Sequence, residues 1–168
     1  MNFTNTLLKV EHNTENNIFH FIVQTDHYDK EDIDGTDGIK SYFMKLFEYF
    51  EQGENKDSDN PIYYGFVFDI SVLSSYNMFK FSKDLKTFFN QYTDTLHKYV
   101  GCSAIIVHST FIRVILAPII KLINKGRSLT FTRDVDNAFD AIEAQLLKLN
   151  HQDVANMALH SKQYCRLP

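Results

Sequence analysis

Apolar residues recur along this chain in two periods, and the switches between the periods mark out its elements. Residues 5–11 and 18–24 read as strands, and the wholly polar run from His12 to Asn17 between them reads as a hairpin connection. Phe19, Phe21 and Val23 alternate with Ile18, His20 and Ile22, so the second strand is apolar on both faces and predicts cover on both sides. A polar, acidic stretch from Asp26 to Gly38 leads into a helix. Its residues Ile39, Tyr42, Phe43, Leu46, Phe47 and Phe50 follow the i, i+3, i+4, i+7 rule, with Thr36 or Asp37 as the N-cap. Polar residues and breakers from Gly53 to Pro61 predict an exposed loop.

The run Ile62 to Ile70 is almost continuously apolar, as a central strand of a parallel sheet is. Met78, Phe81, Leu85, Phe88, Phe89, Tyr92, Leu96 and Tyr99 then form one stripe, which predicts a single long helix. His97 and Lys98 lie in its last turn, and Gly101 is its left-handed cap. A second buried strand spans Cys102 to Val107, followed by a helix from Thr110 to Asn124 that Pro118 should bend or break. A third short strand, Ser128 to Thr132, precedes a helix over Asp136 to Leu149 with Phe139, Ile142, Leu146 and Leu149 on one face. Beyond Asn150 the pattern weakens to a tail or a short docked helix, so the domain is placed at 1–150 and the tail at 151–168. Strand and helix alternate three times, which predicts an α/β fold with a small, mostly parallel sheet.

A chain of 168 residues can bury a sizeable core as one domain. Fifteen Phe and nine Tyr make that core aromatic. The formal charge of −4 gives no general attraction to phosphate backbones, which argues against nucleic acid as a partner. Cys102 and Cys165 are too few for a disulfide framework and form no Cys-x-x-Cys pair, and Met1 to Val10 carries no signal-like apolar run. A cytoplasmic location is the expectation. His108, Arg113, Lys121 and Pro118 interrupt the most apolar stretch, Ala104 to Ile123, so no integral membrane segment is expected.

Signatures of catalysis are missing. The acids between Asp26 and Asp37 fail the EF-hand register, because a glycine at position 6 puts Lys30 or Ile33 at position 1. No histidine pair has helical metal-ligand spacing, and no phosphate-cradling glycine motif or nucleophile elbow occurs. The chain is therefore read as no enzyme, with no cofactor and no metal. Two places hold interest. Asp69, His108 and Ser109 end buried strands, where α/β proteins place their ligand crevices. Ser71, Ser74, Ser75, Tyr76 and Asn77 form the turn into the long helix, where a phosphate on Ser74 or Ser75 would alter docking. Capping by Ser74 or Ser75 is the commoner role for serines in such turns.

The runs Phe66-Val-Phe-Asp-Ile-Ser-Val-Leu-Ser-Ser75, Ser103-Ala-Ile-Ile-Val-His-Ser109 and Phe131-Thr-Arg-Asp-Val-Asp-Asn-Ala-Phe-Asp-Ala-Ile142 resemble the STAS-like superfamily. That grouping joins bacterial anti-anti-sigma factors and small relatives of the CRAL-TRIO lipid-transfer domain. The resemblance covers residues 62–147 and, loosely, the N-terminal hairpin. It implies a mostly parallel sheet with an antiparallel N-terminal strand and helices packed largely on one face. It also implies a protein partner and a regulatory serine at the start of the helix after the central strand. The family carries Asp-Ser-Ser-Gly there, where this chain has Leu73-Ser74-Ser75-Tyr76. The lipid-transfer side implies a small apolar ligand or lipid instead, which would need an apolar cavity of at least about 300 Å³ between helices and sheet. A structural or self-assembling role is the third expectation.

Overall fold

The computed structural model describes residues 2–52, 62–110, 113–114 and 127–164, with residues 150–164 as backbone alone. One sheet runs in sequential order through β1 (Phe3–Thr4), β2 (Leu8–Asn13), β3 (Ile18–Val23), β4 (Tyr64–Asp69), β5 (Val100–Ile106) and β6 (Ser128–Thr132). β2 pairs antiparallel with both β1 and β3, while β3, β4, β5 and β6 are parallel to one another. The hairpin from β2 to β3 closes through Asn17 at φ 55°, a left-handed conformation that asparagine tolerates better than most residues. The α/β class and the mostly parallel sheet match what the hydrophobic pattern predicts.

The helices whose full course is described are α1 (Lys30–Asp34), α2 (Ile39–Gln52), α3 (Ser75–Gln91), α4 (Thr93–Tyr99) and α5 (Val135–Tyr164). Side chains alternate along a strand, so each sheet face has its own composition. One face presents Phe19, Phe21, Tyr64, Phe66 and Ile105 to α2, α3 and α4. Rings interlock across this layer, with Phe21 to Phe43 at 5.2 Å, Phe43 to Phe89 at 4.8 Å and Phe50 to Tyr64 at 4.5 Å between centroids. The other face presents Ile18, Val67, Cys102, Ala104 and Ile106 to Ala138, Ile142 and Leu146 of α5. Among the described residues most helices thus lie on the aromatic face, as expected, and α5 alone covers the opposite one. Gly65 makes that approach possible, because a Cβ there would stand 2.2 Å from Ile142 Cγ2.

Three expectations are revised. The single long helix is broken at Tyr92, where the Thr93 hydroxyl donates to the carbonyls of Phe89 and Asn90 and competes with helical bonding. Gly101 is no helix cap: Val100 ends α4 in an extended conformation, and Gly101 lies in β5 where the register with β4 shifts. The acidic stretch folds into α1, whose start is a capping box between Asp29 and Asp32. The loop over 53–61 and most of the helix expected over Thr110–Asn124, with Pro118, lie outside the described residues, as does Cys165. The backbone of α5 runs on past residue 150 to Tyr164. No helix among the described residues is long and apolar enough to cross a membrane.

Candidate functional site

The parallel strands deliver their exits to one edge of the sheet, and the exits of β3 and β4 are clamped together there. Asp69 ends β4, and its Oδ1 accepts the Ser71 N–H at 3.1 Å and the Ser71 hydroxyl at 2.6 Å, a local turn that commits the carboxylate. Ile70 and Leu73 are buried and pin the turn to the core. Ser74 is the N-cap of α3, with Oγ accepting the Asn77 N–H at 3.4 Å. From the β3 exit, Asp26 Oδ1 accepts the Ser74 N–H at 2.6 Å, and the Asn77 amide donates to the Asp26 carbonyl at 2.7 Å. The Ser74 N–H, aided by Asn77 and Ser74 side chains, holds the Asp26 carboxyl below the usual aspartate value. A carboxylate of the protein itself thus sits at the positive end of α3, where an anion would otherwise bind.

This clamp fixes a turn whose outer side chains face solvent. Tyr76 is 78% exposed and Phe79 57%, one helical turn apart on the outside of α3, and Val72 on the turn before them is 44% exposed. Ser75 is exposed beside them. Along the flank, the Tyr28 hydroxyl donates to Asp84 at 3.4 Å and the Lys80 ammonium lies 4.6 Å from the Tyr28 ring centroid. Burial, and then the Asp84 charge, raises the Tyr28 pKa well above that of a free phenol.

Of the residues singled out in the sequence, Ser74 and Asn77 join the clamp, Ser75 and Tyr76 face outward, and Ser71 engages Asp69. His108 and Ser109 lie at the neighbouring exit, that of β5, with His108 exposed. There Arg113, which the sequence did not single out, bridges two strand ends. Its guanidinium donates to Val107 O at 3.0 Å and to Thr132 O at 2.9 Å. Asp26 was weighed only as part of the acidic stretch and not as a partner of this turn, since the residues it bonds lie 48 and 51 positions away. Cys102 is buried under α5 and burial pushes its thiol up to about 12, which suits packing and not nucleophilic attack. Among the described residues no group of three His, Cys, Asp or Glu comes together to hold a metal ion.

An apolar cavity of about 140 Å³ lies between the aromatic sheet face and α3. Comparison of the chain with protein-family models, curated proteins and solved structures finds no match.

Proposed function

We propose that this chain is a non-enzymatic protein-binding module of STAS-like type that docks a partner on the outer surface at the start of α3. The observation that carries the reading is the exposure of Val72, Tyr76 and Phe79 on a turn locked by Asp26, Ser74 and Leu73. Apolar side chains left in water on a pre-organised turn lose little freedom on binding, and tyrosine is a frequent anchor of protein interfaces. A serine pair opening the helix after β4 stands where the resemblance to anti-anti-sigma factors implies a regulatory serine. A phosphate at Ser74 would face the Asp26 carboxylate and break the clamp by like-charge repulsion. At exposed Ser75 it would change the docking surface and leave the clamp in place.

A lipid carrier is the less favoured reading, because the cavity of about 140 Å³ is well below the roughly 300 Å³ at which drug-sized pockets begin. The test is site-directed photo-crosslinking in native extract, with the crosslinker at Tyr76 and, as a control, at exposed Glu48 on α2. One discrete protein should be captured from position 76 and not from 48, and Phe79→Ser should abolish that capture at unchanged thermal midpoint. Capture of the same protein from both positions, or capture indifferent to Phe79→Ser, would overturn the docking surface.

A further inference from the structure

The cavity under α3 is independent of the docking surface, since it opens on the inner side of the same helix. Phe21, Phe66 and Phe68 of the sheet and Leu85 and Phe89 of α3 are among the apolar residues of its wall. One polar group breaks that lining at the sheet. Ser103 sits on β5 between Val100 and Ile105 on the aromatic face, is 7% exposed, and lines the cavity. Its hydroxyl makes no hydrogen bond with another described residue. The remaining polar wall residues are both on α3: Ser82, whose hydroxyl meets Met78 Sδ at 3.9 Å, and Lys86.

Ser103 Oγ is not one of the sealed polar atoms of the core, so it keeps access to the cavity space and can bond a group that enters there, which an apolar residue at the same place could not. The volume, about 140 Å³, matches cavities that hold one benzene-sized molecule. We infer that this cavity is a binding site for a small single-ring molecule carrying one hydroxyl or carbonyl group, a phenol being the simplest, with the ring among the phenylalanines and the polar group hydrogen-bonded to Ser103. An acyl chain is too large for the space. Lys86 is the single charged residue of the lining, so the rest of the wall offers a charged head group no counter-charge.

The probes are phenol and toluene, similar in shape and different in the one group at issue, titrated into the full chain and followed by side-chain NMR shifts. Both should bind, with perturbations at Leu85, Phe89 and Ile105. Ser103→Ala should weaken phenol about 3- to 10-fold, the worth of one hydrogen bond, and leave toluene unchanged or tighter. Ser103→Leu, which fills the space with hydrocarbon, should bind neither and should melt no lower than the parent. The inference is overturned if neither probe binds the parent, if Ser103→Ala treats the two alike, or if Ser103→Leu lowers the thermal midpoint and so shows that no room exists there.

Discussion

Tyr42 carries a hydroxyl that its position does not use. The residue is 3% exposed, its ring lies 4.7 Å from that of Phe3 and edge-on to Phe21, and its Oη has no partner among the described residues. Burial alone raises its pKa far above that of a free phenol. Such a group costs about 1–3 kcal/mol in lost hydration, while the ring keeps its contacts. Tyr42→Phe should therefore raise stability, by up to about 1 kcal/mol. The readout is a higher urea midpoint at unchanged slope, and a fall in midpoint would mean that the hydroxyl has a partner. Asp26 is the opposite case, a half-exposed acid whose carboxylate and carbonyl both have donors.

At the scale of elements, the packing of α5 depends on the absence of a side chain. A Cβ on Gly65 would meet Ile142 Cγ2 at 2.2 Å and Leu146 Cδ1 at 3.3 Å, so α5 would have to move off β4. Gly65→Ala should cost about 1–3 kcal/mol, as over-packed core positions do, and Ile142→Val in the same chain should return part of that loss. Equal losses in the single and double variants would separate the cost from this contact. The strands and α2 were legible because their periods of two and 3.6 are local properties of the chain. Which face a helix covers is not written in its own stripe. The clue lay in the strands, where Tyr64 and Phe66 alternate with Gly65 and Val67, large residues toward several helices and small ones toward one. The break at Tyr92 escaped for a related reason: the apolar stripe runs on through it, and only the hydroxyl of Thr93 favours the interruption. At the candidate site the serine cap was legible, because N-cap chemistry is local. The clamp from Asp26 was not, because nothing in the spacing of 26 and 74 announces a contact between the exits of adjacent strands.

The molecule as a whole should lose stability on mild acidification, and the cause separates two physical pictures. His12 stacks on Phe19 at 4.0 Å, and burial, with a smaller push from the N-terminal amine, lowers its pKa to about 4. His20 packs edge-on to Phe139 at 5.3 Å; burial lowers its pKa, Lys9 adds a little, and Asp69 and Glu11 oppose. In the unfolded chain both imidazoles take up protons near pH 6.5. Between that value and about 4 the unfolded state holds protons that folded His12 refuses, so stability rises with pH there and falls as acid is added. Below that window the carboxyls of Asp26, Glu11, Asp34 and Asp134, all lowered by hydrogen bonds, continue the loss in the same direction. Overall charge predicts the reverse: the chain carries −4 with its seven histidines neutral, so protonating them carries it through zero, where self-repulsion is least. Urea unfolding at pH 7 and pH 5 decides between the two. The buried imidazoles require a lower midpoint at pH 5, and His12→Phe, which keeps a ring on Phe19, should shrink the difference. A midpoint that rises at pH 5, or a difference untouched by His12→Phe, would assign the acid response to net charge.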